Sequence, residues 1–293
     1  MQLLSSSLKE GVQHGSPVLP IVVYYPSLDS HCTQLAAHWH EEMEISYVQK
    51  GEAVYSIDAV KHHVKQGDIL IIPPRSLHSG HFIIGKDSQN ITVLFNISAL
   101  ASYSRDICTS QYILPLQEGE LPITNQILSK TNAAQRVAEI IQSIAKDISS
   151  QGKAFELKIK SSLFDLLYEI ILASPEEKIS PTTSIAIEKI KLALEYIQAN
   201  YMQKIYIKDL AILTNYSEPY FSKVFKHAAQ CSCTDYINQY RILMAQEQLI
   251  NTTKPITNIA LDVGFENISY FCKEFLHMND MTARQYRELY KKS

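Results

Sequence analysis

The stretch that decides the reading is ITNIALDVGFENISYFCKEF, residues 256–275. Ile256, Ile259 and Ala260 stand at helical spacing, with the small Ala260 suited to close helix contact. Four residues on comes Gly264, which tolerates the left-handed backbone of a sharp turn. A second helix follows, with Phe271 and Phe275 four apart on one face. The same phrase occurs earlier as IKDLAILTNYSEPYFSKVF, residues 207–225, with Ala211, Asn215, Phe221 and Phe225 in the matching places. The later copy has one more residue in its turn. Each copy predicts a helix-turn-helix, and Thr234–Asn251 between them predicts one amphipathic helix through Tyr236, Tyr240, Leu243 and Ile250. A rigid pair of this kind presents two helices to successive major-groove segments, roughly 34 Å apart on one face of a duplex.

Outward from the repeat, the chain divides by texture. At 293 residues it is long enough for two domains, and its 46% hydrophobic and 19% charged content is that of an ordinary globular protein. Residues 1–180 carry 14 Lys+Arg against 19 Asp+Glu, and residues 181–293 carry 13 against 11, so the helical part is the mildly basic one. Five scattered cysteines without a C-x-x-C argue against a disulfide framework and a zinc finger. No apolar run is long enough to span a membrane, and the opening residues lack a secretory pattern, so a cytoplasmic protein is expected.

From Leu19 to Ile97 short apolar runs alternate with Gly, Pro, Asp and Asn, which predicts a sandwich or small barrel. From Thr131 to Ala173 the period becomes helical, and two amphipathic helices meet at Gln151-Gly152, an expected dimerisation surface. Residues 174–184, with two prolines and no periodicity, read as a linker. The expected domains are therefore a barrel over 1–130, a helical segment over 131–173, a linker over 174–184 and a helix-turn-helix domain over 185–293.

On the phrases YFSKVFK, YINQYRILMAQEQL, ITNIALDVGFENISYFCKEF and MTARQYR, residues 185–290 resemble the DNA-binding domain of the AraC/XylS transcriptional regulators. The chain departs from that family's pattern at Gln230 and Asp280, where Gly is usual, and at Ala283, where Pro is usual. The resemblance implies a cytoplasmic, dimeric, promoter-binding activator in which a barrel senses a small molecule, with a sugar or glycoside the expected class and RNA polymerase a further partner. Pro219, Ser222, Lys223, Ile268, Ser269, Cys272 and Lys273 match the family's base-facing positions, and helix geometry adds Lys226. Lys223 and Lys273 suit guanine or phosphate, and Ile268 suits a thymine methyl. Glu218 and Glu266 are read as charges that complement helix N-termini.

Seven of the ten histidines lie between His31 and His81. On a strand, residues 38, 40 and 44 share parity and thus one sheet face. His38-x-His40-x-x-x-Glu44 followed by Gly67-x₅-Pro73…His78 looks like the two cupin motifs, with Arg75 where the second motif usually has Gly. His38, His40, Glu44 and His78 match that superfamily's metal ligands. The preferred reading assigns His38, His40, Glu44, Arg75 and His78 to an effector pocket without a cofactor, and a divalent metal on the four motif residues is the lesser alternative. Trp39 is read chiefly as core, Arg75, Trp39 and Tyr47 as alternative pocket lining, and His62, His63 and His81 as surface. No nucleophile elbow, phosphate loop or activated cysteine is present, so no enzymatic activity is expected. A cupin metalloenzyme with an accessory helical domain stands as the alternative.

Overall fold

In the computed structural model, which describes residues 19–28, 34–82, 88–103, 106–175 and 181–290, the alternating runs fold as strands. These are β1 (Ile21–Tyr24), β2 (Ser27–Leu28), β3 (Gln34–His38), β4 (Met43–Lys50), β5 (Glu52–Ile57), β6 (Val60–Lys65), β7 (Ile69–Ile72), β8 (His78–Phe82), β9 (Ser88–Phe95) and β10 (Gln126–Ile127). One sheet has the order β1-β9-β4-β7-β10, with β2 also on β9, and the other has the order β3-β8-β5-β6. Register assigns each residue a face: Ile45 pairs with Val93 and Ile71, while Ser46 pairs with Thr92 and Leu70.

The odd-numbered residues of the first sheet, among them Met43, Ile45, Ile69, Ile71, Ile91, Val93 and Phe95, enter one apolar core with α2 (Asn132–Ser150) and α3 (Phe155–Leu172). Val137, Ile141 and Ile144 from α2, and Ile159, Leu166 and Ile170 from α3, complete it. The two helices are those the period anticipates, but the reversal uses left-handed Gln151 and Ala154 rather than Gly152. Between sheet and helices lie α1 (Leu114–Gln117) and β10, which pairs with β7. The sheets face each other: Asn90 Nδ2 on β9 donates to Tyr55 Oη on β5 at 3.5 Å.

The chain's contacts divide it into two compact units, one dominated by residues 39–181 and the other by residues 182–293, the latter also taking in Gln34–His38. The helices of the second are α4 (Pro181–Asn200), α5 (Ile207–Leu213), α6 (Glu218–Ala229), α7 (Cys233–Asn251), α8 (Ile256–Asp262), α9 (Ile268–Asn279) and α10 (Ala283–Tyr290). Helix α4 starts inside the stretch read as linker. Its first residue is Pro181, whose fixed φ suits a first helical turn, while the apolar period that marks a helix in sequence begins only afterwards. No helix among the described residues is long and apolar enough to cross a membrane.

The repeat is closer in structure than in sequence. Helices α5 and α8 are each 7 residues long, and α6 and α9 are each 12. Phe221 stacks on Phe225 at 5.5 Å and Phe225 meets Tyr236 edge-on at 5.5 Å; Phe271, Phe275 and Tyr286 repeat this at 5.6 and 5.5 Å. Helix α10 therefore repeats the start of α7, and each unit has three helices rather than two.

Asn215 and Gly264 occupy the turn with φ of +56° and +92°, as the spacing requires. At Gly264 a Cβ would also meet Arg241 Nε and the Met202 carbonyl oxygen, both at 3.0 Å, besides the Tyr201 carbonyl oxygen. Arg241 Nε in turn donates to that Tyr201 oxygen at 2.9 Å. Gly264→Ala thus combines an unfavourable φ with a backbone clash. It is expected to cost at least about 2 kcal/mol, read as a lowered midpoint in urea for the helical transition, whereas Asn215→Gly should change it little.

Candidate functional site

The recognition helices are built from their buried side outward. Phe221, Phe225, Phe271 and Phe275 are fully buried, which turns the opposite faces of α6 and α9 to solvent. Pro219, Ser222, Lys223 and Lys226 on α6, and Ile268, Ser269, Cys272 and Lys273 on α9, are all exposed. The structure therefore brings each set of four together on one free helix face. Tyr270, passed over in sequence, joins the α9 face and accepts a 2.8 Å hydrogen bond from Asn238 Nδ2 on α7. Its place beside Phe271 matches that of Tyr220 beside Phe221, which was the available signal.

The departures at turns have a structural meaning. Gln230 and Asp280 end α6 and α9 in the left-handed region, at φ of +59° and +52°, which explains why glycine suits those positions. Ala283 is the first residue of α10, a place that accepts proline because its N–H has no helical partner. Instead, Thr282 and Gln285 close that helix end, with Gln285 Oε1 accepting from the Thr282 backbone N–H at 2.9 Å. Glu218 opens α6, as read, while Glu266 precedes the Asn267 cap of α9 and lies 3.8 Å from Lys204.

His38, His40 and His78 are all buried, with ring nitrogens within 4.8 Å of one another. Each Nδ1 lies against a backbone carbonyl: Ala36 for His38 at 2.9 Å, Glu42 for His40 at 3.0 Å and Ser76 for His78 at 2.9 Å. A carbonyl only accepts, so each Nδ1 carries the hydrogen. Glu44 Oε2 lies 3.4 Å from His40 Nε2 and 3.7 Å from His78 Nε2. Glu44 thus meets His40 and His78, although no single strand face carries residues 38, 40 and 44: His38 ends β3 of one sheet, Glu44 lies on β4 of the other, and His40 lies between the strands.

Beyond them runs a polar line that sequence reading left out. Ser46 Oγ donates to Glu44 Oε1 at 3.3 Å and lies 2.7 Å from Thr92 Oγ1, so Thr92 donates its hydroxyl hydrogen bond to Ser46. Burial, and next the Glu44 charge, push the Tyr55 hydroxyl well above the usual phenol range. On β9 the buried Ser88 Oγ and Asn90 Oδ1 have no hydrogen-bond partner among the described residues. The signal was parity: residues 44 and 46 on β4, and 88, 90 and 92 on β9, share faces of their strands.

Arg75 stands apart from this cluster through its side chain. Its guanidinium lies 4.0 Å from Glu41, both about half exposed, while its backbone N–H donates to the His40 carbonyl at 2.7 Å. Its φ of +63° is the reason a glycine suits this position. Tyr47 packs against the core on the helix side of its sheet, and so does not line the opposite face; Trp39 is buried. His63 is exposed, His62 is half-buried, and the side chain of His81 lies outside the described residues.

The AraC-like ligand binding domain family matches residues 21–167, half of the chain, and a helix-turn-helix domain family matches residues 210–289. The chain belongs to the AraC family of transcriptional regulators. A helix-turn-helix-type transcriptional regulator of Bacillus subtilis, YdeC, is 24% identical over 98% of both chains. The lactose operon transcription activator of Staphylococcus xylosus is 25% identical over 82% of this chain and 81% of its own. Among solved structures, ToxT of Vibrio cholerae is 13% identical, covering 93% of this chain and 99% of that one, with a TM-score of 0.47.

This AraC-family chain carries a built-in reporter of its recognition face. Cys272 and Cys108 are exposed, whereas burial raises the Cys231 and Cys233 thiols to about 12. Among the cysteines of the described residues, alkylation at pH 8 is expected to label Cys108 and Cys272 first and to leave Cys231 and Cys233 thiol. Duplex DNA should slow labelling of Cys272 alone, and mass mapping with and without duplex checks this.

Proposed function

We propose that this regulator is a dimeric activator whose two recognition helices read promoter DNA under the control of a hydroxyl-rich small molecule of the carbohydrate class. The observation that carries the proposal is the duplicated 12-residue helix, buried on its Phe pair and free along Pro219, Ser222, Lys223 and Lys226 or Ile268, Ser269, Cys272 and Lys273. Lys223 and Lys273 supply cations to guanine edges or phosphates, and Ile268 supplies an apolar contact for a thymine methyl. RNA polymerase at the same promoter is the partner an activator requires.

The effector site assigned here comprises His38, His40, Glu44 and His78, with Arg75 contributing through its backbone. The carbohydrate class is supported by the polar line Glu44–Ser46–Thr92 and by Ser88 Oγ and Asn90 Oδ1, since a buried polar atom without a partner costs about 1–3 kcal/mol that ligand hydroxyls would remove. The lactose operon activator among its relatives points the same way. For the dimer, the support is an exposed apolar stripe on α3, Leu157, Phe164, Tyr168 and Leu172, opposite that helix's buried face. Control then follows from population shift, in which an effector that favours one dimer arrangement by about 1.4 kcal/mol changes occupancy tenfold.

The test is operator affinity across a salt series. Lys223→Ala with Lys273→Ala is expected to lower affinity by about one to two orders of magnitude and to reduce the slope of log affinity against log salt by up to about 2. Unchanged affinity and slope would remove both lysines from the interface. Added to the wild-type chain, sugars are expected to change that affinity and to raise the melting temperature of the sheet-rich unit; glycosides and simple polyols without effect would exclude the carbohydrate class.

A further inference from the structure

The segment that leads into the first helix-turn-helix is held by the second. Residues 201–206 join α4 to α5, yet Tyr201 packs against the apolar core formed by α7, α8, α9 and α10. Arg241, near the middle of α7, spans this junction. Its Nε donates to the Tyr201 carbonyl at 2.9 Å and its Nη2 to the Gln203 carbonyl at 2.8 Å. The same guanidinium lies 5.8 Å from the centre of the Phe265 ring, in the turn before α9. Gly264 lets that turn close on the Tyr201 and Met202 carbonyls, where a Cβ would not fit. Asn215, at the matching turn of the first copy, carries a Cβ, which so close an approach would forbid.

We propose that Arg241 is a positioning residue for DNA reading, which sets the angle and separation between α6 and α9 and so tunes the chain to one spacing of the two grooves it enters. Helix α7 joins the two copies through apolar contacts, Tyr236 against Phe225 on one side and Ile242 and Leu249 in the core of the other. Such contacts are non-directional and leave each copy free to pivot. The Arg241 fork adds two directional bonds from α7 to the lead-in of α5, and its planar face meets the turn before α9. One residue thereby fixes both copies to the same helix. Spacing matters because one base pair added between two grooves moves the second by about 3.4 Å and turns it by about 35° around the duplex. This role rests on the two-helix reading proposed above, and adds to it the residue that sets the distance.

The experiment measures affinity of the full-length chain for a duplex obtained by in vitro selection, and for versions with one base pair deleted, or one or two inserted, between the two segments that one chain protects. The wild-type chain is expected to lose at least about 10-fold per base pair of change. Arg241→Ala should bind the parent duplex about 10-fold more weakly, because the helices are no longer pre-arranged, and should lose no more than about 3-fold per base pair. Arg241→Lys keeps the charge and the stem but offers a compact ammonium in place of the fork, so its spacing profile should fall between the two. Should Arg241→Ala not fold, the lysine variant decides. Variants whose affinity falls by one factor at every spacing, with a profile as sharp as the wild type's, would overturn the positioning role and leave the two-helix reading standing. A wild-type chain indifferent to spacing would overturn that reading, and the role of Arg241 with it.

Discussion

The structure of the helical unit depends on one repeated interaction, the Phe–Phe–Tyr stack behind each recognition helix. Phe221, Phe225 and Tyr236 in one unit, and Phe271, Phe275 and Tyr286 in the other, meet at nearly the same distances and angles. Aromatic pairs in this geometry are worth about 0.5–1.5 kcal/mol beyond the area they bury. Their larger effect is directional. A helix held along one face by two phenylalanines four residues apart has no freedom to rotate, so its remaining residues are committed to solvent or to DNA. Gly264, pressed by two carbonyls and Arg241, fixes where the second helix starts.

The sheet-rich unit obeys a comparable constraint with period two. Odd residues of β4, β7 and β9 are committed to the apolar core with α2 and α3, which leaves even residues for the space between the sheets. A slip of one residue would exchange Ile45 for Ser46 and dismantle both faces at once. The same register that builds the core therefore gathers Glu44, Ser46 and Thr92 into one hydrogen-bonded line beside the histidines. Fold and chemistry in this unit share a single cause.

Much of this was legible in the residues, because it rests on local periodicity. The left-handed turns at Asn215 and Gly264, the Phe pairs and the span of α7 follow from spacing, whereas His38, His40, Glu44 and His78 were grouped by resemblance to cupin motifs and by a shared strand face that the structure divides between two sheets. What escaped depends on tertiary contacts or on signals too short to register. Strand β10 has two residues and exists through its pairing with β7. Helix α4 begins at a proline in a polar run, before any apolar period starts. The Tyr236–Tyr286 correspondence lay beyond the aligned phrases, eleven residues past Phe225 and Phe275, because helices α7 and α10 share little else. Arg75 was grouped with the pocket because a guanidinium suits anions, whereas its positive φ and half-exposed side chain show that the position serves the backbone.

The central claim is that two equivalent helices read DNA together. Its most direct test is hydroxyl-radical and methylation-interference footprinting of the full-length chain on a duplex enriched by in vitro selection. The account predicts two protected segments per chain, centred on successive major grooves roughly 34 Å apart along one face of the duplex. Protection of a single groove, or protection spread evenly around the duplex, would contradict it.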